Sequence, residues 1–378
     1  SGNHHPTVSR SMVLDPQPLE NASPLALAKR GRSPMKRILI IRPSAIGDIV
    51  MASPMIRVLR NAWPRGYIAW LADTSVRGLL DDHPALDEVI YWSKEDWRRM
   101  MKTLRLLRLS AEAASFSRDL RKRRFDIALD GQGLLRSRLL AWLSGAGERI
   151  GFESREPGAF LMTRIVSRGP DKSAMSSEYI YLMQAMGLAP GRFEPELVLA
   201  PRDGIGAETK LRSAGFSDRF ATICPFTTRP QKHWPEDRWV VLAQEIKSRW
   251  ELPLVLLGGP NDTAAAQRFQ DRIGAGLYDF TGKTSLAEAA AIIARTDLVI
   301  GVDTGLTHLG TAFKCPTVAL FGATCPYLRT PSPRTVVVYN PQACAPCKRK
   351  LTCAGQYDCM NTITVDQVLG AVDQALKN

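Results

Sequence analysis

Residues 37–48 read RILIIRPSAIGD, and this stretch decides the fold. The run over 37–42 is short and aliphatic, which is typical of a buried parallel strand, and residues 43–48 lead out of it into a helical pattern over 49–59. A strand that continues into a crossover helix is the repeating unit of α/β proteins. The stretch therefore predicts a parallel sheet with helices on its faces.

The same alternation fills two blocks of the chain. The first block predicts strands over 67–71, 89–91 and 125–129, a short helix over 76–80 and a helix from 130–133 through Leu143. The second predicts strands over 220–224, 254–257, 298–301 and 317–321, and helices over 236–250, 286–294 and 306–313. Residues 190–206 are rich in proline and glycine and indicate a linker. Two such units leave a cleft between their strand ends, where a two-substrate enzyme would act.

These patterns predict the domain boundaries. Residues 1–34 contain scattered prolines without a sustained period, and we expect a disordered extension there. A first Rossmann-like domain is expected over 35–190 and a second over 207–362. A last helix lies within 363–378, and packing on the first domain is our hypothesis for it.

The net charge of +13 favours an anionic partner: nucleic acid, an anionic membrane surface or a phosphorylated substrate. Residues 94–124 hold eleven basic residues against four acidic ones, with apolar residues between them. This segment either lies on an acidic lipid surface or forms a solvated helix with one core face. Nucleic acid is not expected, since the sequence shows no recognised nucleic-acid motif. With no secretory signal and no apolar run near the roughly 18 residues of a membrane span, we expect a cytoplasmic protein.

Four of the seven cysteines cluster as Cys344, Cys347, Cys353 and Cys359. Two close pairs of thiols are able to hold a tetrahedral metal ion, and in a reducing compartment such thiols are either metal-bound or free. A structural metal at these four residues is one hypothesis, and four unmetallated thiols are the other.

Asp48 ends the turn that follows the first predicted strand, at the edge of the expected cleft. A carboxylate in this position is suited to accept a proton from an attacking hydroxyl, a role that contributes about 10²–10⁴ in rate. The alternative is that Asp48 only caps the helix that follows it.

Residues 227–235 read TTRPQKHWP and follow the first strand of the second block. Ligand crevices form at the carboxyl ends of parallel strands, so the hydroxyls of Thr227 and Thr228 and the ammonium of Lys232 are expected to face the cleft. Lys232 would bind a diphosphate through a charge-assisted bond of about 1.5–3 kcal/mol. The alternative is an exposed loop lysine.

Residues 302–308 read VDTGLTH and follow another predicted strand of the second block. Backbone N–H groups at Asp303, Thr304 and Gly305 would open a helix, and a helix start favours an anion. His308 lies one turn further along the same face. The alternative is a capped helix with a structural histidine. No Asp-x-Asp occurs in the chain, so the protein itself must offset the charge of a leaving diphosphate.

Taken together, these segments resemble the ADP-heptose:lipopolysaccharide heptosyltransferases, glycosyltransferase family 9. The resemblance covers residues 36 to 376 and is carried by five segments: 44–48, 130–137, 155–157, 227–235 and 302–308. Within the family, the form TTR-x-x-KHWP is most similar to the type I heptosyltransferases. The cysteine segment is more similar to type II and autotransporter heptosyltransferases, in which similar cysteines can hold iron.

The resemblance implies an α/β protein of GT-B architecture, with two Rossmann-like domains that face an interdomain cleft. It implies an inverting enzyme that moves heptose from ADP-L-glycero-D-manno-heptose to the Kdo-lipid A inner core, at the cytoplasmic face of the inner membrane and without a catalytic cofactor. Asp48 would be the base. Donor-binding residues would be Thr227, Thr228, Lys232, Asp262, Thr284, Asp303, Thr304, Gly305 and His308. Acceptor-binding residues would be Gln132, Arg136, Arg155, Arg98 and Arg99.

The cysteine segment keeps a second acceptor class open. A protein O-heptosyltransferase that modifies an autotransporter would use the same donor, and its four cysteines would hold a structural iron or zinc ion.

Overall fold

Two six-stranded sheets organise the chain. The computed structural model describes residues 35–216, 219–347 and 353–378, and every strand pair within them is parallel. The first sheet comprises β1 (Arg37–Ile41), β2 (Tyr67–Asp73), β3 (Glu88–Trp92), β4 (Ile127–Asp130), β5 (Glu148–Phe152) and β6 (Arg164–Val166). The second comprises β7 (Ala221–Cys224), β8 (Leu254–Leu256), β9 (Leu277–Asp279), β10 (Leu298–Val302), β11 (Thr317–Phe321) and β12 (Thr335–Tyr339).

Both sheets have the same strand order. The first runs β3-β2-β1-β4-β5-β6, and the second, read from its far edge, runs β9-β8-β7-β10-β11-β12. The chain changes direction across each sheet between β1 and β4 and between β7 and β10. Such switch points leave a crevice at the carboxyl ends of the two central strands, which is where open α/β sheets bind ligands.

The helices cover both faces of each sheet. In the first half they are α1 (Ile46–Ala52), α2 (Pro54–Ala62), α3 (Lys94–Lys102), α4 (Leu106–Lys122), α5 (Leu135–Leu143) and α6 (Ser177–Ala185). In the second they are α7 (Pro201–Ser213), α8 (Glu236–Trp250), α9 (Thr263–Ile273), α10 (Leu286–Ile293), α11 (Gly305–Ala312), α12 (Asp358–Asn361) and α13 (Val365–Lys377). The helix predicted over 49–59 is thus two helices, because Pro54 has no N–H to continue the first.

The apolar strands form the core. Residues 38–41 of β1 and 298–302 of β10 are buried on both sides, as expected for strands covered by helices on both faces. One apolar cluster fills the space between the two halves and includes Ile38 and Ile40 from the first sheet and Val255 and Val299 from the second. Separate clusters fill the outer face of each sheet.

The structure corrects two of our expectations. Helix α7 begins at Pro201, inside the predicted linker, and packs against α10, so the second half starts before residue 207. Its Gly206 allows this approach, since a Cβ there would lie 2.8 Å from the carboxylate of Glu288. Among the described residues, the main packing partners of helix α13 are β11, β12 and α8 of the second half, and not the first half as hypothesised. The second sheet also continues past β11, the last strand predicted for it, to β12.

The predicted disordered extension over 1–34 lies outside the described residues. Among the helices of the described segments, none is both long enough and apolar enough to cross a membrane.

Candidate active site

A cleft of about 1080 Å³ opens between the carboxyl edges of the two sheets. The first half contributes residues 44–48 after β1, with Ser75, Lys94 and Arg155. The second half contributes residues 226–229 after β7, residues 303–305 after β10, and Lys232, Asp262, His308 and Thr324. The loops after the switch-point strands β1, β7 and β10 thus meet in one cavity.

Asp48 reaches this cleft from the first turn of α1. Its Oδ2 accepts a hydrogen bond from the backbone N–H of Ala45 at 3.1 Å and lies 2.7 Å from a guanidinium nitrogen of Arg42. The carboxylate is 37% exposed, whereas the Arg42 side chain is 8% exposed. Asp48 therefore caps α1 with one oxygen and still faces the cavity, so the two roles considered for it are compatible.

The turn after β4 supports the loop over residues 44–48 through a hydrogen bond. Asp130 accepts the backbone N–H groups of Gln132 and Gly133 at 2.9 and 3.0 Å, which shapes the turn. Burial raises the pKa of Asp130. The side-chain amide of Gln132 then donates to the carbonyl of Ser44 at 3.2 Å. Gln132 is buried and supports the loop, and it does not line the cavity.

Asp303 is the centre of a charged network on the opposite wall. Its Oδ2 lies 2.6 Å from the ammonium of Lys232 and accepts a hydrogen bond from the hydroxyl of Thr324. Its Oδ1 accepts from His308 Nε2 at 3.1 Å. Burial alone would raise the pKa of Asp303, but the bonds and charges of His308 and Lys232 outweigh burial and hold that pKa well below its usual range. Asp303 is therefore ionised and fixes Lys232 at the cavity wall.

His308 is a positioning residue. Its Nδ1 lies 2.7 Å from the hydroxyl of Tyr327, so both ring nitrogens have protein partners, and the side chain is 3% exposed. The ring also touches the other half, since a Cβ on Gly47 would lie 2.3 Å from His308 Cδ2. In return, a Cβ on Gly305 would lie 2.4 Å from the Cβ of Ile46. The two glycines thus allow α1 and α11 to meet end to end beside the cavity.

The start of α11 offers donors to an anion. Thr304 precedes the helix and makes no capping bond with its own hydroxyl, which leaves that hydroxyl for a ligand. Thr304 and Gly305 both line the cavity. A helix of this length carries partial positive charge at its first N–H groups, so this wall attracts phosphate.

The loop over 227–235 is held rigidly against the body of the second half. His233 Nε2 donates to the carbonyl of Thr227 at 2.9 Å, which closes the loop on itself. Trp234 is buried, stacks edge to face on Trp239 and donates to the carbonyl of Ile363 at 2.9 Å. Thr227 and Thr228 consequently line the cavity on a loop whose backbone is held in place.

Two further donor-binding predictions have different positions. Asp262 ends a 3₁₀ turn, accepts the N–H of Gly259 at 2.8 Å and lines the cavity. Thr284 precedes the cap of α10 and is not among the residues that line the cavity.

The predicted acceptor residues are scattered. Arg155 lines the mouth of the cavity. Arg136 lies on the exposed face of α5, and Arg98 and Arg99 lie on α3, where Arg99 pairs with Asp96 at 2.6 Å. The structure brings Arg155 to the site and leaves Arg136, Arg98 and Arg99 on the outer surface of the first half.

The four clustered cysteines lie near one another at the side of the cleft. Burial, and next the neighbouring thiols of Cys347, Cys344 and Cys353, raise the pKa of Cys359. Cys347 also lines the cavity. Among the described residues, no group of three or more His, Cys, Asp or Glu side chains is arranged to hold a metal ion.

Sequence reasoning missed several residues of the site. Arg42 pairs with Asp48, Tyr327 fixes His308, and Thr324 bonds Asp303. The position of Arg42 directly after an aliphatic strand was a usable signal, because a charged residue there must face the crevice. Thr324 and Tyr327 follow β11, which does not flank the switch point, and carried no comparable signal.

Comparison with known proteins relates the chain to one family. A model described as glycosyltransferase family 9 (heptosyltransferase) matches residues 113–358. Lipopolysaccharide heptosyltransferase 1 of Pseudomonas aeruginosa PAO1 is 30% identical over 328 residues, which cover 85% of this chain and 88% of that protein. The glycosyl transferase family 9 structure from Veillonella parvula superposes with a TM-score of 0.78 at 22% identity and covers 91% of this chain and 98% of its own.

Two further solved structures bear on the fold. E. coli heptosyltransferase WaaC with ADP-2-deoxy-2-fluoro heptose has a TM-score of 0.68 at 22% identity and covers 89% of this chain and 99% of its own. The iron-containing dodecameric glycosyltransferase TibC from enterotoxigenic E. coli is more distant, with a TM-score of 0.52 at 15% identity, covering 91% and 79%. The α/β, GT-B fold predicted from the sequence is confirmed.

Proposed function

Because this chain belongs to glycosyltransferase family 9, the heptosyltransferases, we propose that it transfers heptose from ADP-L-glycero-D-manno-heptose to the Kdo-lipid A inner core of lipopolysaccharide. The single observation that carries this proposal is the meeting of Asp48 with the Lys232–Asp303 network and the start of α11 in one cleft. A carboxylate base and an anion-binding wall face each other there across the gap between the halves.

The second half would hold the donor. Lys232, the hydroxyls of Thr227, Thr228 and Thr304, and the N–H groups at the start of α11 surround a position suited to a diphosphate. These groups are already fixed by the protein, so they stabilise the charge that develops on departing ADP without reorganisation. Asp262 would contact the sugar-nucleotide ribose and Thr284 the adenine, at the outer end of the same crevice.

Asp48 would deprotonate the acceptor hydroxyl. Attack from the side of the first half displaces ADP from the opposite face of the anomeric carbon and inverts its configuration. The carbon–oxygen bond to the acceptor forms as the bond to the diphosphate breaks, and the proton passes to Asp48. Arg42 keeps the carboxylate in place through the oxygen that also caps α1.

The first half would hold the acceptor. Arg155 at the cavity mouth is suited to a phosphate or carboxylate of Kdo-lipid A. Arg136, Arg98 and Arg99 lie outside the cavity and would contact more distant anionic groups of a large, membrane-borne acceptor. We place the protein in the cytoplasm, peripheral at the inner membrane.

Mass spectrometry of the product tests the proposal. Purified full-length protein incubated with ADP-heptose and Kdo-lipid A should release ADP and add one heptose to the acceptor. Chelator treatment should leave the rate unchanged, because Lys232 and the start of α11 neutralise the diphosphate. Failure to modify Kdo-lipid A while ADP-heptose is bound would reject this acceptor.

A protein acceptor has less support. TibC is more distant than the lipopolysaccharide heptosyltransferases, and the four-cysteine segment is the feature that favours this alternative. If Cys344, Cys347, Cys353 and Cys359 hold structural iron or zinc, elemental analysis of purified protein should find about one metal ion per chain. Heptose transfer to an autotransporter passenger but not to Kdo-lipid A would establish the alternative.

A further inference from the structure

Exposed large apolar side chains are concentrated in one part of the first half. Nine of them fall between residues 101 and 165: Met101, Leu104, Leu106, Leu107, Leu135, Leu139, Trp142, Phe160 and Ile165. The second half exposes only Ile205, Val241 and Leu328 among its described residues, on separate elements. Scattered exposed side chains need no explanation, but a concentration marks an interaction surface.

Helix α5 is apolar on two faces. Its inner face packs Leu140 and Ala141 into the core of the first sheet. Its outer face exposes Leu135, Leu139 and Trp142, which are spaced four and three residues apart and therefore form one stripe. Nothing in the described part of the chain covers this stripe.

Phe160 extends the stripe. It is 83% exposed on the 3₁₀ turn Ala159–Leu161, which packs against α5. The contact is close, because a Cβ on Gly158 would lie 2.8 Å from the Cδ1 of Leu135. The buried guanidinium of Arg138 ties the preceding loop to α5 through the carbonyls of residues 152, 156 and 157. We name Leu135, Leu139, Trp142 and Phe160 the apolar patch.

Unpaired arginines adjoin the apolar patch in the sequence. Arg136, Arg155 and Arg164 are exposed and have no ion-pair partner among the described residues. The nearby Glu156 carboxylate accepts the N–H of Leu135 at 2.9 Å and keeps its negative charge, so the three arginines outnumber it. Apolar side chains flanked by an excess of cations are the pattern of a surface that inserts shallowly into an anionic lipid layer.

A second apolar group lies on the same side of the molecule. The apolar tip, defined as Met101, Leu104, Leu106 and Leu107, joins α3 to α4 and is flanked by Arg98, Lys102 and Arg105. Helices α4 and α5 cover the same face of the first sheet, where Ser117 donates to the carbonyl of Leu143 at 2.9 Å. Crossover helices return the chain from the carboxyl edge of a sheet, so both helices begin at the edge that bears the cleft.

We propose that the apolar patch and the apolar tip dock this protein on an anionic lipid bilayer. The inference rests on the proposed function, because it supplies the surface from which a lipid-linked acceptor would enter the cleft. Arg155 lies both at the cavity mouth and in the loop that leads to Phe160. An acceptor whose sugar occupies the cavity thus has its acyl chains beside the apolar patch. A symmetric dimer through this face is disfavoured, since it would bring the same unpaired arginines together.

Vesicle sedimentation tests the docking surface. The full chain should pellet with vesicles of equal parts phosphatidylcholine and phosphatidylglycerol and remain in solution with phosphatidylcholine alone. The Leu139→Gln/Phe160→Gln variant should lower the partition coefficient about tenfold or more, since two apolar side chains no longer insert. Ile205→Gln, which replaces an exposed apolar side chain on α7, is the control and should bind as the parent does.

Three outcomes would overturn the inference: vesicle binding unchanged in the patch variant, equal binding to neutral vesicles, or a parent dimer that the patch variant converts to monomer without loss of vesicle binding. Turnover separates this inference from the proposed function. The patch variant should heptosylate a deacylated, water-soluble acceptor at the parental rate and vesicle-embedded Kdo-lipid A more slowly. If the parent modifies neither acceptor, the proposed function fails while the sedimentation result still decides the docking surface.

Discussion

At the scale of single residues, the site has the Asp48 carboxylate on one wall of the cleft and the Lys232–Asp303 network on the other. Asp48 uses Oδ2 for the cap of α1 and for Arg42, while Asp303 keeps Lys232 and His308 in place. Both aspartates hold local structure in addition to the roles we propose for them. Replacing either aspartate therefore removes local hydrogen bonds or ion pairs as well as a charge.

Asp48→Asn should separate these roles. Asparagine retains an oxygen to accept the N–H of Ala45 but is a far weaker base, so turnover should fall about 10²–10⁴-fold. Affinity for ADP should stay within about twofold, because the donor wall is untouched. Steady-state kinetics and calorimetric titration of ADP measure the two effects. Asp271→Asn on α9, whose carboxylate only accepts from Gln267, is the control. Parental turnover in Asp48→Asn would exclude the base role.

Lys232→Met should weaken ADP binding by about 10-fold to 100-fold, as expected for a lost charge-assisted bond. Part of this loss comes from Asp303, whose carboxylate would then face the diphosphate with less compensation. The double variant Lys232→Met/Asp303→Asn should accordingly bind ADP more tightly than Lys232→Met alone. Lys283→Met, which removes an exposed lysine paired with Asp279, controls for net charge. An unaltered dissociation constant in Lys232→Met would rule out contact with the diphosphate.

At the scale of elements, the end-to-end contact of α1 and α11 joins the two walls of the cleft. Gly47 lies against the His308 ring, and that ring cannot move away because Tyr327 and Asp303 hold its nitrogens. The contact therefore sets the distance between Asp48 and the Lys232–Asp303 network.

Gly47→Ala should push α1 away from α11 and displace Asp48. A displacement near 1 Å in a catalytic group costs about 100-fold in rate, so kcat should fall while ADP affinity changes little. Gly370→Ala in α13 is the matched control, since a Cβ there meets nothing within 4 Å. Replacing this second glycine should be neutral or stabilise the helix by about 0.5–1 kcal/mol. A fully active Gly47→Ala enzyme would show that the contact does not position Asp48.

At the scale of the whole molecule, one apolar cluster extends across both halves. The halves consequently depend on each other for burial, although each has its own sheet. We expect thermal unfolding to occur in one transition, with circular dichroism and tryptophan fluorescence changing together. ADP at about 100 times its dissociation constant should stabilise the entire transition by about 2.7 kcal/mol. Two separated transitions, of which ADP shifts only one, would contradict this expectation, and Lys232→Met should show a smaller ADP shift.

The hydrophobic pattern of short segments predicted most of the central strands and helices. Runs such as 37–41 and 298–302 are uniformly aliphatic because both faces of a central parallel strand are buried. Short edge strands such as β6 and β9 escaped prediction, since three residues with one exposed face carry little pattern. Helix α7 was mistaken for a linker because Pro201 and two glycines outweighed its periodicity.

By itself, the sequence determined the two α/β units, the segments that follow β1, β7 and β10, and the chemical types of the residues in them, because strand burial and turn chemistry are local properties. The tertiary structure alone decided that Tyr327 and Thr324 complete the site, that α13 belongs to the second half, and that Gly47 and His308 meet. These contacts join positions far apart in the chain, and they depend on how two separate sheets pack, which no local pattern encodes.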